Sequence, residues 1–287
     1  MMDGMRSTPE TRISLKRYMR QEFNNKPLQV LNVLFHQWTG IPSLERATLT
    51  NGYQAWVVLP DLVANWAYLR GDFELEVTDF IDTVAAPGML ALDIGAQFGL
   101  KSAFLHEAVG KDGKVIAFEP IPSTYKVLKR NSDNWGMEAY QLALSQRSGM
   151  SDMHDFGPRN AGQNTLKTPH YTHELKAGKV VSVQTTTVDR FVQEHDLKTD
   201  LWKIDVENAE YDVLLGGKNT ISTQKPEIIM EIGDAGRAPG EQTKDLLDLL
   251  SQYGYQFYEI VKGVFGQIKD GTPHPKTQNL LASQRHF

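Results

Sequence analysis

The chain contains no cysteine, which excludes disulfide bonds, thiolate-bound zinc and thiol nucleophiles. No apolar run approaches the ~18 residues of a membrane span, and the N-terminus lacks the apolar core of a signal peptide. Positive charge is also scarce, because 30 Lys and Arg stand against 35 Asp and Glu, a formal net charge of -5. A broad nucleic-acid surface needs clustered Lys and Arg. We therefore expect a soluble, cytoplasmic protein that acts on a small molecule and binds neither nucleic acid nor membrane.

The length of 287 residues and the 40% hydrophobic content allow one large domain, or one domain with an extension. We predict an N-terminal helical and hairpin extension over residues 1–80 and a cofactor-binding domain over residues 81–287. In the extension, Leu31, Leu34, Phe35 and Trp38 recur at helical spacing and predict a buried helix face. Asn51-Gly52 between two apolar runs predicts a hairpin. The extension could act as a lid over the site or as the contact of a homodimer.

A glycine turn organises the second domain. Leu90–Ile94 is typical of a strand buried in a parallel sheet, and after Gly99 an apolar helical pattern continues to a stop at Gly110. Strand, glycine turn and helix together bring bare backbone N–H groups and a positive helix end to a ligand. An ordinary strand–turn–helix unit without a ligand is the alternative.

The next strand indicates which ligand. It ends on Glu119, 20 residues after Gly99, where an acid accepts hydrogen bonds from the two hydroxyls of a ribose. Both nicotinamide dinucleotides and S-adenosylmethionine carry such a ribose. Gln97 stands where a dinucleotide fingerprint needs its middle glycine, which argues against NAD. Asp93, two residues before Gly95, suits a ligand with an ammonium group.

Acidic residues gather at the ends of two later strands. The fourth strand, Leu201–Val206, carries Lys203 and Asp205 and is followed by Glu207. Charges within a buried strand are costly without partners, so Asp205 and Glu207 are expected to face the transferred group or the substrate. An internal ion-pair network with Lys203 is the alternative. Glu231 and Asp234, after the fifth strand, could join Asp205 around a divalent ion, but their spacing matches no metal signature. We therefore expect no metal.

The polar segment 146–180 has no clear periodicity and is expected to be the substrate loop. Its His154 and His173 are candidates for the base that removes a proton from a substrate hydroxyl. Solvated loop histidines are the alternative.

Four motifs together resemble the FkbM-type S-adenosylmethionine-dependent methyltransferases. They are Asp93-Ile-Gly-Ala-Gln-Phe-Gly99, Phe118-Glu-Pro120, Lys203-Ile-Asp-Val-Glu-Asn-Ala-Glu210 and the closing Asn279-Leu-Leu-Ala282. The resemblance runs from about Gly71 to the C-terminus. It departs from the family at Gln97, where asparagine is usual, and at Asn208, where glycine is usual. Asparagine tolerates the left-handed conformation, so Asn208 is compatible with the turn.

The resemblance implies S-adenosylmethionine as the cofactor. It places Glu74 near the methionine end of the cofactor and the adenine against the segment after the third strand, Glu138–Leu144. The residues expected at the cofactor are Glu74, Asp93, Gly95, Ala96, Gln97, Phe98, Gly99, Ser102, Glu119, Pro120, Ala143, Leu144, Asp205 and Glu207. The expected catalytic residues are Asp205, His154 and His173.

These observations predict a Rossmann-like, three-layer α/β sandwich. Its seven-stranded sheet is expected to be mostly parallel, with the last strand antiparallel. The expected activity is methyl transfer from S-adenosylmethionine to a hydroxyl on a sugar, a polyketide or a peptide natural product. An NAD-dependent oxidoreductase and a catalytically silent cofactor-binding module are the alternatives.

Overall fold

The computed structural model describes residue 19 and residues 25–167, 178–233, 242–261, 264–268 and 278–287. The helices in this part of the chain are α1 Pro27–Thr39, α2 Leu62–Arg70, α3 Leu75–Val84, α4 Leu100–Val109, α5 Pro122–Trp135, α6 Val188–Glu194, α7 Glu210–Gly216, α8 Lys218–Gln224 and α9 Thr243–Ser251. The strands are β1 Ser43–Thr48, β2 Gln54–Leu59, β3 Leu90–Ile94, β4 Lys114–Phe118, β5 Glu138–Tyr140, β6 Ala143–Leu144, β7 Gly149–Asp155, β8 Lys179–Thr186, β9 Leu201–Ile204, β10 Glu227–Ile232, β11 Gln256–Val261, β12 Val264–Ile268 and β13 Gln278–Ser283. A single 3₁₀ turn spans Ala161–Gln163.

The central sheet has eight strands in the order β12-β11-β13-β10-β9-β3-β4-β5. Neighbours from β10 to β5 pair in parallel, whereas β13 is antiparallel to both β10 and β11. The Rossmann-like α/β prediction and the antiparallel last strand are confirmed. The prediction of seven strands is wrong by one, because β12 adds an antiparallel edge strand beside β11. Gly266 in the middle of β12 lowers its strand propensity, which hid the strand in the sequence.

Glu138–Leu144 is two strands and not the single third strand that the sequence suggested. β5 continues the central sheet, whereas β6 pairs in parallel with Thr185 and Thr186 of β8. β7 then pairs antiparallel with β8, which completes a separate three-stranded sheet. The polar segment 146–180 therefore contains a strand that its weak periodicity did not reveal. His173 and Asp234 lie outside the described residues.

The predicted hairpin is present in the extension, with β1 and β2 joined through Asn51 and a left-handed Gly52. The predicted burial of α1 is wrong. Leu31, Leu34, Phe35 and Trp38 are exposed, because α1 packs through the opposite face, formed by Val30, Val33 and His36. Before residue 25, only Met19 lies within the described residues, and it is buried.

The extension and the rest of the chain share one core. A single cluster of buried apolar side chains runs from Val57 and Leu59 of β2 to Ala91 of β3 and Leu105 of α4. Residue 80, the predicted domain boundary, lies inside α3. The division at that position stays a prediction. No helix among the described residues is both long and apolar enough to cross a membrane.

A buried asparagine fastens the hairpin to the glycine turn. The Asn131 Oδ1 atom on α5 accepts from the Trp56 backbone N–H at 2.7 Å. Its Nδ2 atom donates to the Trp56 carbonyl and to the Phe98 carbonyl, both at 2.8 Å. Three hydrogen bonds from one fully buried side chain thus join β2, α5 and the turn after β3.

Replacing Asn131 by leucine keeps the side-chain volume close to the original but removes all three hydrogen bonds. Because three backbone groups then stay buried without partners, we expect the free energy of unfolding to fall by about 2–4 kcal/mol. Urea denaturation followed by circular dichroism measures the change. Ser132→Ala is the matched control, since Ser132 is equally buried and its hydroxyl has no hydrogen-bond partner among the described residues. An Asn131→Leu protein as stable as Ser132→Ala would contradict this account of the junction.

Candidate active site

The glycine turn after β3 lies against the turn after β9. Gly95 has φ +81°, and a Cβ atom built there would lie 1.8 Å from the Asp205 carbonyl oxygen. The N–H groups of Gly95 and Ala96 both donate to the Phe118 carbonyl at the end of β4, at 3.1 and 2.9 Å. The N–H groups of Gly95 and Ala96 are therefore not among the bare N–H groups that the sequence predicted for this unit. The turn is glycine because two backbones meet here.

Gln97 links the turn to two acids. Its backbone is left-handed, with φ 51°, and its N–H donates to the Glu119 carboxylate. Its side-chain Nε2 donates to Asp61 Oδ1 at 3.1 Å. Asparagine, which the family resemblance leads one to expect at this position, is one methylene shorter. Gln97 therefore keeps the left-handed turn and adds a contact to the extension.

Glu119 follows β4 and is almost fully buried. Its Oε1 atom accepts from the Ile121 N–H at 2.8 Å. Burial raises the pKa of Glu119 to about 8, against the lowering effect of the N–H donors of Ile121 and Gln97. The next residue, Pro120, is also buried. Glu119 is thus a fixed acceptor of hydrogen bonds at the carboxyl end of the sheet.

A buried lysine bridges two neighbouring strands. Asp93 of β3 and Lys203 of β9 are paired positions in the sheet, so their side chains lie on the same face. Lys203 Nζ lies 3.6 Å from Asp93 Oδ1 and 3.2 Å from Asp205 Oδ2. Burial alone would lower the pKa of Lys203, but Asp205 and Asp93 raise it overall, so the ammonium stays charged. The ion pair that the sequence left as an alternative for Asp205 is therefore present.

Asp93 is oriented from the other side by Ser102 of α4. The Ser102 hydroxyl donates to Asp93 Oδ2 at 2.5 Å, and both residues are fully buried. Asp93 Oδ1 has no hydrogen-bond partner among the described residues. This oxygen, 3.6 Å from the Lys203 ammonium, accepts no hydrogen bond from the described residues at the end of β3.

Glu74 is positioned by a second buried lysine. It precedes α3 in a left-handed conformation, φ 57°, and its carbonyl accepts from Lys101 Nζ at 2.9 Å. The same ammonium contacts Asp72 Oδ1 and Thr78 Oγ1, each at 2.7 Å. Burial, and then the charge of Asp205, raise the pKa of the Glu74 carboxyl to about 7. Lys101 and Asp72 therefore hold Glu74 in a conformation that brings its carboxyl within the field of Asp205.

Three half-buried carboxylates meet at the ends of β9 and β10. Single oxygen atoms of Asp205, Glu207 and Glu231 lie within 4.8 Å of one another. Burial, and then the charge of Asp205, raise the pKa values of Glu207 and Glu231 well above the usual range. Such a group can accept hydrogen bonds or a proton from a hydroxyl, and its oxygens are also of the kind that a hard divalent cation binds.

The turn after β9, which carries Asp205 and Glu207, is left-handed at two consecutive residues. Glu207 has φ 52° and Asn208 has φ 76°. The expectation that Asn208 fits a left-handed turn is confirmed. The left-handed Glu207 has no such signal in the sequence, because glutamate rarely takes this conformation.

The segment from His154 to Lys167 runs across this end of the molecule. Gly162 N–H donates to Asp61 Oδ2 at 3.3 Å, and the Thr165 hydroxyl donates to the Glu207 carbonyl at 2.6 Å. His154 pairs through its backbone with Thr165, and its ring stacks on Phe156. The segment is thus tied both to the extension and to the acidic turn. His154 is linked to the acidic turn through its backbone partner Thr165. Its role as a base stays a prediction.

The remaining predicted cofactor residues border the same edge. Phe98 and Gly99 complete the glycine turn, with Phe98 buried in the core. Ala143 and Leu144 form β6 and are buried beside β8. The sequence reasoning missed Asp61, Asp72, Lys101 and Thr165. Only Asp61 carried a signal, because it directly precedes α2 and caps that helix through the Ala64 N–H.

Comparison with known proteins supports a methyltransferase family. The model of the methyltransferase FkbM domain matches residues 93–257. The 2-O-methyltransferase NoeI of Sinorhizobium fredii is 28% identical over 207 residues, covering 66% of this chain and 81% of that protein. The hexuronic acid methyltransferase AglP of Haloferax volcanii is 27% identical over 205 residues, covering 70% of this chain and 78% of that protein.

Among solved structures, a methyltransferase FkbM from Methylobacillus flagellatus is similar, with a TM-score of 0.44 and 15% identity. The match covers 71% of this chain and 50% of that one. The domain match itself begins at Asp93, the acid before the glycine turn, and passes through Glu119, Asp205 and Glu231. It extends over more than half of the 287 residues, and so the chain belongs to the FkbM family of methyltransferases.

Proposed function

We propose that this chain transfers the methyl group of S-adenosylmethionine to a hydroxyl of a small molecule. The observation that carries the proposal is the row of acids at the carboxyl ends of three neighbouring parallel strands, Asp93 of β3, Glu119 after β4 and Asp205 after β9. Ligands of open α/β sheets bind at this edge. Each acid matches a different part of the cofactor and acceptor.

For the cofactor, we assign the ribose hydroxyls to Glu119, which is held by two backbone donors and has a carboxyl group free to accept more. We assign the ammonium group to Asp93 Oδ1, which accepts no hydrogen bond from the described residues, and to Glu74. The adenine lies against Ala143 and Leu144. In this arrangement Gly95, Ala96 and Gln97 form the floor of the site, and Ser102, Lys101 and Asp72 act by holding Asp93 and Glu74.

For the chemistry, the bound cofactor supplies an activated methyl group on its sulfonium. The chain holds the acceptor oxygen in line with that methyl and excludes water. As the O–CH₃ bond forms and the S–CH₃ bond breaks, the acceptor hydroxyl loses its proton. Asp205 orients the acceptor, and Glu207 and Glu231, whose pKa values are raised by burial, are placed to take the proton. His154 and His173 are the further candidates for this base.

For the acceptor, we propose a neutral, polyhydroxylated molecule. Carboxylates accept hydrogen bonds from hydroxyls, and Asp205, Glu207 and Glu231 lie close enough together to contact neighbouring hydroxyls of one ring. The names of NoeI and AglP describe methylation of a 2-O position and of a hexuronic acid. An anionic uronate would face three carboxylates here, so we place a neutral sugar, polyketide or peptide hydroxyl ahead of it.

The proposal is tested by turnover with methyl-labelled S-adenosylmethionine and a panel of acceptors: neutral glycosides, the matching uronates and amines. We expect labelled product with the neutral glycosides, and no effect of EDTA, since no metal is expected. Cofactor binding without turnover on any acceptor would favour the silent module. Product formed only on uronates would overturn the neutral-acceptor assignment, and product formed only with added divalent cation would overturn the expectation of no metal.

Glu119→Gln keeps the shape of the side chain but removes the charge that two ribose hydroxyls bond to. Because hydrogen bonds to a charged group contribute about 1.5–3 kcal/mol, we expect the affinity for S-adenosylhomocysteine to fall by about 10- to 100-fold. Calorimetric titration measures it. Glu138→Gln, an exposed acid on the next strand, is the control and should bind normally. Equal affinity in the two variants would remove Glu119 from the cofactor site.

The same residue predicts a pH dependence. With its pKa raised to about 8, Glu119 is mostly neutral in the free protein at lower pH. If the cofactor binds to the carboxylate form of Glu119, binding releases a proton. The affinity for S-adenosylhomocysteine should therefore rise from about pH 6 to pH 8 and level off above. Glu74, with a pKa raised to about 7, adds to this slope. The part of the slope that disappears in Glu119→Gln belongs to Glu119. An unchanged slope would contradict the assignment.

Asp205→Asn separates catalysis from stability. If Asp205 orients the acceptor, turnover should fall by about tenfold to a thousandfold, the usual effect of losing one positioned electrostatic group. Lys203 also loses a partner, so the melting temperature should fall as well. Glu227→Gln is the control, because Glu227 pairs with Arg285 at the opposite end of the sheet. It should lower stability alone. An Asp205→Asn protein that resembles this control, destabilised but fully active per folded molecule, would make Asp205 purely structural.

A further inference from the structure

The surface of α1 carries an apolar face that nothing in the described part of the chain covers. Its residues, with their exposed fractions, are Leu28 80%, Leu31 49%, Leu34 42%, Phe35 51%, Trp38 85% and Ile41 56%. We call this set the α1 face. It lies on the extension and takes no part in the proposed methyl transfer.

The area of the α1 face matches half of a stable interface. Taking ~200 Å² for one large apolar residue, the exposed fractions leave about 700 Å² open to water. The largest apolar patch on an ordinary monomer is ~300–600 Å². A stable protein–protein interface buries ~800 Å² on each partner. The α1 face is thus larger than a monomer usually leaves exposed and about as large as one partner needs.

The chemistry of the α1 face restricts the partner. From Pro27 to Leu44 the sequence has no Asp, Glu, Lys or Arg. Helices that lie on lipid surfaces carry Lys and Arg on their polar side, and the chain as a whole is acidic, so a membrane is a poor match. The cations beside this segment, Lys26 and Arg159, donate to the Leu69 and Gln37 carbonyls, so a charged peptide would lose its water shell here for few ion pairs. The partner that fits is another uncharged apolar face, and the identical face of a second copy is one.

The spacing of the residues gives the geometry. Leu28, Leu31, Phe35 and Trp38 are separated by three, four and three residues, which is the seam of a coiled coil. Across a two-fold axis near Val33, an antiparallel pairing brings Leu28 opposite the second copy's Trp38, and Leu31 opposite its Phe35. The bulkiest residue at one end thus meets the aliphatic residue at the other end.

Contacts on its inner side and at both ends hold α1 against the rest of the extension, which leaves the α1 face outward. Val30 and Val33 are buried on its inner side, and Lys26 Nζ, just before α1, donates to the Leu69 carbonyl at 2.7 Å. His36 Nδ1 contacts the Ile41 carbonyl at 2.7 Å and secures the other end. We propose that the α1 face is the interface of a homodimer in which the α1 helices of two copies pack antiparallel.

Sedimentation equilibrium of the full chain tests the proposal. We expect twice the mass of one chain at micromolar concentration, and the mass of one chain for the double variant Leu31→Glu with Trp38→Glu. Met150→Glu is the matched control, because Met150 is an apolar residue, 65% exposed, that belongs to β7 and not to the α1 face. It should stay dimeric. Circular dichroism checks that each variant folds. A native chain that is monomeric, or a folded double variant that stays dimeric, would overturn the proposal.

The absence of native cysteine allows a second, independent test by cross-linking. A mixture of Leu28→Cys and Trp38→Cys proteins should form a disulfide between the two variants on oxidation, whereas each variant alone should not. Single substitutions at surface positions avoid the risk that charge in the α1 face impairs folding. Self-linking of Trp38→Cys alone would show a parallel pairing and contradict the antiparallel interface. No cross-link in any combination would count against the α1 face as the contact.

Discussion

The contact of two backbone turns at Gly95 and Asp205 is the constraint on which the site depends. With an imagined Cβ only 1.8 Å from the Asp205 carbonyl, no side chain fits at Gly95. Asp205 N–H also donates to the Ile94 carbonyl at 3.0 Å, which extends the pairing of β9 with β3 beyond the strands. This approach places Asp93 and Asp205 on either side of one lysine. A glycine that the sequence explains by close approach of a ligand is required first by the protein itself.

The balance of charge follows from that contact. Acids at the ends of β3, β9 and β10 outnumber the cations near them: among the described residues Lys203 pairs with Asp93 and Asp205, whereas Lys101 pairs with Asp72 of the extension. Burial and the neighbouring acids raise the pKa values of Glu207 and Glu231, and a bound cation or a hydroxyl donor would lower them. Such a crowded group of acids is the electrostatic basis for our proposal of a cationic cofactor and a hydroxylated acceptor. The loop through Gly162 and Thr165 covers this edge and joins it to the extension.

The sequence predicted the parts of the fold that local patterns encode. Strand β3, the glycine turn, helix α4 and the acid after β4 follow from spacing, and Asn51-Gly52 predicts the hairpin. The buried face of α1 was predicted wrongly because periodicity shows which residues share a face, but not whether the chain or a partner covers it. The split of Glu138–Leu144 depends on pairing with β8, where Leu144 pairs with Thr186, 42 residues further along the chain. Glu207 in a left-handed turn and the Lys101 network depend on tertiary contacts in the same way.

Parallel calorimetric titrations with S-adenosylhomocysteine and NAD test the central claim, that this edge of the sheet is built for a methyl-donor cofactor. We expect S-adenosylhomocysteine to bind and NAD to give no heat. Asp93 is assigned to the ammonium group and Glu119 to one ribose, whereas Gln97 stands where a pyrophosphate needs a glycine. Binding of NAD, or binding of neither compound by the folded chain, would contradict the account.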